Sequence, residues 1–150
     1  MTRNELKSII EKDVAFYNSY SKKTHIKMIL TNSHFYVINK YMRLLRYEEY
    51  YRKKSAGGGA FMYSRRKNKL ENTLGFYINP NTLGARTIIY HHGSIIINSD
   101  AVVGCGCKLH GNNCIGNDGV SLKAPHIGNN VEIGAGAVVV KSCLKKEPVL

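Results

Sequence analysis

Two adjacent histidines, His91 and His92, stand inside an isoleucine-rich run, TIIYHHGSIIINSDAVVG, from Thr87 to Gly104. An imidazole titrates near neutral pH, so a histidine can take a proton from an alcohol or bind a metal ion under physiological conditions. Packing alone rarely places imidazoles in the middle of an aliphatic run. The pair is therefore the first candidate for chemistry, and the elements around it decide which kind.

An aliphatic residue recurs at every sixth position in the second half of the chain, usually followed by Gly or a small polar residue. The positions in phase are Val103, Leu109, Ile115, Ile127, Ile133 and Val139, with Ser121 as the one weak site. A period of six fits neither an α-helix nor an alternating strand. It predicts a parallel β-helix with three flat faces, in which each turn of about 18 residues points one aliphatic side chain per face into the axis.

The repeat slips by two residues at the histidine pair. Counted back from Val103, the period places His91 where an aliphatic residue should stand, whereas Leu83 and Ile89 are two residues out of phase. One interpretation is a local irregularity with a hydrogen-bonded structural histidine. The other is that the break turns an imidazole out of the wall and into a cleft. The pattern alone leaves both interpretations open.

The first half of the chain has helical periodicity. Apolar residues at helical spacing mark a first helix, and a second helical pattern runs from about His25 to Tyr51. The segment SAGGGA, Ser55 to Ala60, predicts a flexible break, and the polar segment RRKNKLENTLG predicts a short helix or a linker. We therefore expect an α-helical region at 1–74 with a glycine-rich break near 55–60, a β-helix at 75–140 and a non-repeat tail at 141–150.

The composition is that of a globular protein with a basic first half. Hydrophobic residues make up 43% of the chain and the net charge is +12. Residues 1–75 carry most of this charge, with 16 Lys and Arg against 6 Asp and Glu. Such a surface suits phosphates, nucleic acid or an anionic membrane, or is simply a solvated helical face. No nucleic-acid motif is present, so a nucleic-acid partner is not expected.

Two further features concern location and cysteine chemistry. No apolar run is long enough for a membrane helix, and the charged start MTRNELKSIIEKD does not resemble a secretory signal. These features predict a cytoplasmic protein with no integral membrane segment. The cysteines match no common zinc spacing, and we expect them to be reduced, small residues that fill the core. They are Cys105, Cys107, Cys114 and Cys143.

The second half, roughly Gly75 to Val140, resembles the hexapeptide-repeat acetyltransferases. It is most similar to the branch that contains serine O-acetyltransferases and polysaccharide O-acetyltransferases. The stretches that carry the resemblance are INPNTLG, IIYHHGSIIINSDAVVG and APHIGNNVEIGAGAVV, and DVAFYNSYS with the helix after it is similar to the helical region of that branch. The resemblance implies a mainly β fold, a left-handed parallel β-helix of about three coils after an α-helical N-terminal region.

The resemblance also implies an activity. The expected enzyme transfers acetyl directly from acetyl-CoA, its co-substrate, to a hydroxyl of L-serine or of a sugar or polysaccharide. No metal is expected, and the implied assembly is a homotrimer with clefts between subunits. His91 matches the general base, and an imidazole in that role typically accelerates a reaction by ~10²–10⁴-fold.

The other implied site residues bind the two substrates. Those expected to contact the acceptor are Tyr90, His92, Asn98 and His126. Those expected to contact acetyl-CoA are Gly93, Gly134, Ala135, Gly136 and Ala137, with a backbone N–H at Gly93 or on a neighbouring chain as the donor to the oxyanion. His126 also suits a surface corner, and the Gly-Ala run also suits a tight coil corner.

Three departures from the family pattern bear on the activity. Serine acetyltransferases have acids where this chain has Tyr77 and Tyr90, and a second histidine where it has Ala124. These changes weaken serine as the acceptor and favour a sugar hydroxyl. The ending KSCLKKEPVL keeps no repeat, which leaves open a truncated, non-catalytic β-helix remnant.

A zinc enzyme is the remaining alternative. His92 and His110 are separated by one turn of the predicted coil and would stack on one corner. Together with His91 they would supply three zinc ligands, as in β-helical carbonic anhydrases. The residues give no sign of acids that would orient these ligands.

Overall fold

A computed structural model describes residues 1–120 and 123–143. Four α-helices precede a stack of short strands in this part of the chain. The helices are α1 (Arg3–Val14), α2 (Lys22–Leu30), α3 (His34–Lys53) and α4 (Gly57–Leu74). The strands are β1 (Phe76–Ile78), β2 (Ile88–Ile89), β3 (Ile95–Ile97), β4 (Val102–Val103), β5 (Lys108–Leu109), β6 (Cys114–Ile115), β7 (His126–Ile127), β8 (Glu132–Ile133) and β9 (Val138–Val139).

The first two predicted helical segments form three helices. Helix α1 begins with a capping box in which Thr2 and Glu5 satisfy each other's backbone N–H, and it buries Leu6. The pattern predicted as one helix from His25 to Tyr51 is broken after α2. The break occurs because Asn32 takes a left-handed conformation, φ 49°, which an α-helix does not tolerate.

The glycine-rich segment, predicted as a flexible break at 55–60, is mostly helical, and the break between the two helices is shorter than predicted. The chain leaves the helix only at residues 54–56, and Gly57 to Gly59 form the first turn of α4. A Cβ at Gly59 would lie 2.5 Å from Cδ1 of Tyr51. Glycine is therefore needed here for the close approach of α3 and α4. The polar segment that follows is part of α4, which ends at Gly75 with φ 78°.

The strands form a parallel solenoid with three faces. The orders are β1-β3-β6-β9, β2-β5-β8 and β4-β7, and every pair is parallel. The aliphatic residues of the six-residue repeat point into the axis, and those buried there are Ile97, Val103, Leu109, Ile115, Ile127 and Ile133. The predicted β-helix of about three turns after a helical region is confirmed.

The turns are not all of equal length, as the uniform repeat had predicted. The sequence separation between the paired residues Ile97 and Ile115 equals three repeats. The separation between Ile89 and Leu109 is two residues longer. In the last turn Val103 pairs with Ile127, so that turn contains a whole additional repeat. The additional residues lie between β2 and β3 and between β6 and β7, and the strands keep their parallel pairing. Ser121, the weak site of the repeat, lies outside the described residues.

The wall continues slightly beyond the predicted boundary at residue 140. Cys143 forms a parallel bridge with Ile127, and its N–H donates to the carbonyl of His126 at 3.0 Å. Residues 144–150 of the predicted tail lie outside the described residues. All four cysteines are free thiols, but only Cys107 is buried, so the expected core-filling role is wrong for the exposed Cys105 and Cys143.

The helices satisfy the backbone groups of the first turn, which has no preceding turn to pair with. The Arg46 guanidinium donates to the carbonyls of Leu83 and Gly84 at 2.8 and 2.9 Å. Buried Arg46 is itself paired with Asp13 at 2.6 Å and with Glu49 at 3.0 Å. A buried ion pair of this kind holds the helices in register with the solenoid, because removing one partner would leave an uncompensated charge.

A second buried ion pair, between Lys67 and Glu71 of α4, connects the helices to strand β1. The Lys67 ammonium donates to the Ile78 carbonyl at 3.2 Å and to Glu71 at 2.9 Å. Glu71 in turn accepts from the Ile78 N–H at 3.3 Å. Both backbone groups of Ile78 therefore have partners. None of the four helices combines the length and apolar character that crossing a bilayer requires.

Candidate active site

The corner that contains the histidine pair is the first of three corners stacked on one edge of the solenoid. These corners are residues 90–94, 110–113 and 134–137, and we call the stack the histidine edge. The Gly136 N–H donates to the Gly111 carbonyl at 3.1 Å, and Asn113 Nδ2 donates to the Gly134 carbonyl at 2.7 Å. Since neighbouring strands are ~4.8 Å apart, the first and third corners are separated by roughly 10 Å.

Both histidines of the pair are on this edge, with His92 and His91 turned outward from the wall. Ile89, which is fully buried, occupies the axial position that the repeat had assigned to His91. The predicted slip of two residues is present, because the β2–β5 pairing spans two residues more than the β3–β6 pairing does. The slip turns His91 out of the wall, and the cleft of the second interpretation stays a prediction.

Residues from the chain after α1 hold the strand that leads into this corner. The Tyr17 hydroxyl donates to the Ile89 carbonyl and accepts from the Ile89 N–H, both at 2.9 Å. Burial raises the pKa of Tyr17, so the hydroxyl keeps its proton. The Phe16 ring packs edge-on against the Tyr90 ring at 5.3 Å. The backbone two residues before His91 is therefore fixed on the side that faces the helices.

The turn after the pair is held by hydrogen bonds that occupy its backbone donors. Gly93 has φ 128°, and its N–H donates to the Leu74 carbonyl at 2.9 Å. The next N–H, that of Ser94, donates to Asn112 Oδ1 at 3.0 Å. The expected role of the Gly93 N–H as oxyanion donor is wrong for this conformation because that N–H already has a partner. The alternative donor on a neighbouring chain stays a prediction.

A third histidine reaches the corner, and nothing in the sequence indicated it. His34 is the first residue of α3, and its ring centroid lies 5.9 Å from that of His91 and 5.8 Å from that of His92. Burial, and then the proximity of His92 and His91, lowers the pKa of His34. A histidine far upstream and outside the repeat carries no signal that links it to this edge; only the packing of α3 against the solenoid shows it.

The predicted zinc ligands are not brought together. His110 stacks on Tyr90 at 4.7 Å, and not above His92, because the slip lengthens this turn by two residues. His110 Nε2 lies 2.7 Å from Glu132 Oε1, and this hydrogen bond, with one from Lys108, lowers the pKa of Glu132. Within residues 1–120 and 123–143, no three His, Cys, Asp or Glu side chains are arranged to hold a metal ion.

The Gly-Ala run forms the outermost described corner of the histidine edge. Gly136 has φ 76°, a conformation that favours glycine. Gly134 differs, because a Cβ placed on it would meet no atom within 4 Å. A tight corner therefore explains the glycine at 136 but does not require the one at 134.

Asn98 and His126 lie on a different edge, so a single chain does not bring them to His91. Asn98 follows β3 and lines a groove of about 490 Å³ with Tyr77 and Asn79. His126 is exposed at the start of β7, opposite Val102. Of the predicted acceptor-binding residues, only Tyr90 and His92 lie beside His91 in one chain.

Comparisons with known proteins agree with this fold. No protein-family profile matches the chain. Sixty residues are 37% identical to WcaB of Escherichia coli strain K12, which is assigned as an acetyltransferase of colanic acid biosynthesis, and the same identity is found with WcaB of Escherichia coli O157:H7 and of Shigella flexneri. The match covers 39% of this chain and 37% of the relative, so the chain spans well under half the length of the curated relatives it matches.

Solved structures match over a longer stretch. Soybean serine acetyltransferase superposes on 92% of this chain and 57% of its own length, with a TM-score of 0.68 and 19% identity. Serine acetyltransferase of Neisseria gonorrhoeae in complex with serine superposes on 91% of this chain and 55% of its own, with a TM-score of 0.60 and 20% identity. This likeness shows a shared fold, that of the β-helical acetyltransferases, which the family resemblance had implied.

Proposed function

We propose that this chain acts as an acetyl-CoA-dependent O-acetyltransferase in which His91 is the general base. The observation that carries the proposal is the position of His91, exposed at the two-residue slip and on the same edge as the Gly-Ala corner. With a base and a glycine-rich surface on one edge, the acceptor hydroxyl and the thioester of acetyl-CoA would bind next to each other. The sequence similarity to WcaB acetyltransferases supports the same reaction.

The reaction needs a base because a neutral alcohol attacks a thioester poorly. The His91 imidazole takes the proton of the acceptor hydroxyl as its oxygen bonds to the thioester carbon. The carbon–sulfur bond then breaks, and the CoA thiolate leaves with the proton that His91 releases. Acetyl passes directly to the acceptor, with no covalent enzyme intermediate.

A sugar hydroxyl is the acceptor that fits best. The relatives found by sequence are assigned to colanic acid biosynthesis, whereas the serine acetyltransferases share only the fold at about 20% identity. Tyr77, Tyr90 and Ala124 stand where the serine acetyltransferase pattern has acids and a histidine. The acceptor would lie against Tyr90 and His92. L-serine is retained as the second acceptor to test.

Acetyl-CoA would lie along the outer part of the histidine edge. The small residues Gly134, Ala135, Gly136 and Ala137 would let a pantetheine arm approach the backbone of this corner. The roughly 10 Å between this corner and the His91 corner is spanned by the arm and its thioester. Gly93 shapes the corner nearest the reacting carbonyl through its φ of 128°.

A homotrimer would complete the cleft. The outward side chains of the four-stranded face form an apolar ladder, namely Tyr77, Ile96, Cys114 and Val138. Ile96 is 43% exposed and Val138 is 67% exposed, although hydrophobic side chains in a regular wall gain from being covered. This face borders the histidine edge, so a second copy packed on it would wall the cleft beside His91 and bring its own Asn98 or His126. Light scattering should give the mass of a trimer for the wild type and a smaller species for Ile96→Lys.

The proposal is tested by following free thiol from acetyl-CoA with a panel of sugars and with L-serine. We expect acceptor-dependent thiol release that is lost in His91→Ala and kept in His25→Ala, which changes a histidine on α2 that lines a groove with Arg43. A protein that binds acetyl-CoA but releases no thiol with any acceptor of the panel would instead be a non-catalytic remnant. Cytoplasmic location stays a prediction.

A further inference from the structure

His34 is the one histidine of the cluster without a role so far. Its ring lies 4.1 Å from the Phe35 ring on its own helix and within 6 Å of both histidine rings of the solenoid. Its Nε2 atom is closed off from solvent and has no hydrogen-bond partner among the described residues. A buried ring nitrogen without a partner is destabilising, and most buried side-chain polar atoms in folded proteins have a protein or water partner, so the unpaired nitrogen of His34 calls for an explanation.

The charge state of His34 limits which partner that is. Its pKa is lowered, so the ring is neutral at physiological pH and one of its nitrogens carries a lone pair. That unprotonated nitrogen repels a carboxylate and accepts from an N–H. The nearest groups that carry ring N–H donors are His91 and His92. The His91 ring is stacked at 29° to that of His34, whereas the His92 ring is tilted by 58°. His91 therefore needs the smaller change of tilt to bring its ring into the plane that an N–H···N hydrogen bond requires.

We propose that His34 is a positioning residue whose Nε2 accepts a hydrogen bond from the His91 ring once His91 has taken the proton of the acceptor hydroxyl. This inference rests on the proposed function. The protonated imidazole has two N–H donors: one faces the reacting atoms, and the other needs an acceptor. The positions of the family's acids hold Tyr77 and Tyr90, and His34 supplies an acceptor from the helical region instead.

The distance between the rings of His34 and His91 requires a small movement of the His91 side chain before this hydrogen bond can form. Two coplanar imidazoles joined by an N–H···N bond have centroids about 5 Å apart, and those of His34 and His91 are 5.9 Å apart. The exposed His91 side chain covers the difference by rotation, while His34 is held against Phe35. The bond therefore forms when His91 is protonated and is absent in the resting geometry.

Three variants of His34 separate this role from packing. His34→Phe keeps a ring against Phe35 but has no acceptor, His34→Gln places an amide oxygen near the position of Nε2, and His34→Asn places one near Nδ1. We expect kcat to fall roughly 10- to 150-fold in the Phe and Asn variants, the range for losing a hydrogen bond to a charged group. The Gln variant should recover most of the loss, and KM for the acceptor should change less than about twofold in all three.

A purely structural role predicts the opposite order, with His34→Phe nearly normal and His34→Gln impaired. A rise in acceptor KM in place of a fall in kcat would make His34 a substrate-binding residue. Either result overturns the proposal.

Nitrogen-15 NMR of the imidazoles tests the same inference without turnover. At neutral pH the Nε2 resonance of His34 should be that of an unprotonated nitrogen, and it should shift when His91 is protonated. His91→Ala should abolish that shift, whereas His92→Ala should leave it. A protonated Nε2 in the resting protein would overturn the proposal. Absence of thiol release by the wild type, with the NMR coupling present, would instead contradict the proposed function.

Discussion

Two edges of the solenoid differ in the room that they leave for side chains. On the edge formed by residues 84–87, 104–107 and 128–131, which we call the glycine edge, a Cβ at Gly84 would lie 2.5 Å from the carbonyl carbon of Gly104. A Cβ at Gly104 would lie 2.6 Å from that of Gly128. The histidine edge has two additional residues in its first corner, and His91 and His92 are exposed there. Regular repeats close the wall, and the inserted residues expose the two side chains to which we assign the proposed chemistry.

The largest expected effect is at His91. His91→Ala should lower kcat for acetyl transfer by about 10²–10⁴-fold, because the acceptor hydroxyl loses its base. His92→Ala, one residue away and equally exposed, should lower it by less than about tenfold. Steady-state thiol release measures both. Equal losses in the two variants would contradict the assignment of the base.

On the glycine edge the expected effect is on stability. Gly104→Ala should destabilise the fold by about 1–3 kcal/mol or more, because the added methyl group meets backbone atoms of the next turn that cannot move aside. Gly134→Ala changes a glycine in the last described turn of the histidine edge, and it should alter the free energy of unfolding by less than about 0.5 kcal/mol, since an added Cβ meets no described atom within 4 Å. Urea denaturation compares the two. Similar destabilisation of both variants would show that the edges are packed alike.

A smaller effect is expected where the helices hold the histidine edge. Tyr17→Phe removes the hydroxyl that bonds both backbone groups of Ile89 and should destabilise the fold by about 1–3 kcal/mol. The control is Tyr20→Phe, on an exposed ring, with an expected change below about 0.5 kcal/mol. Thermal unfolding of both variants measures the difference. No loss of stability in Tyr17→Phe would mean that water or another group replaces the hydroxyl.

The sequence was most informative where one local rule repeats. The six-residue period predicted the parallel wall and its axial residues, and the change of phase between Ile89 and Ile97 located the slip. The period could not reveal the longer last turn, because an insertion of six residues between β6 and β7 leaves the phase of the repeat unchanged. The segment at 55–60 was predicted to be flexible because its glycines are typical of a break. Only the packed helices show that Gly59 lies against the Tyr51 ring.

The candidate site was predictable only in part. The change of phase in the repeat singled out His91 and His92, and the family resemblance implied roles for His91 and for the Gly-Ala corner. His34 comes from a helix outside the repeat, and its approach to His91 depends on how α3 packs against the first turn. Asn98 and His126 were predicted at the same site but lie on another edge of the solenoid. The four-stranded face that contains β3 separates that edge from the histidine edge.

The central claim is that the two-residue slip serves the reaction and is not required for folding. Deleting His91 and His92 together brings Ile89 and Ile97 to the regular six-residue spacing, so it tests this claim directly when unfolding and thiol release are measured on the same preparation. We expect a variant at least as stable as the wild type that releases no thiol from acetyl-CoA. An unfolded variant, or one that still transfers acetyl, would contradict the account.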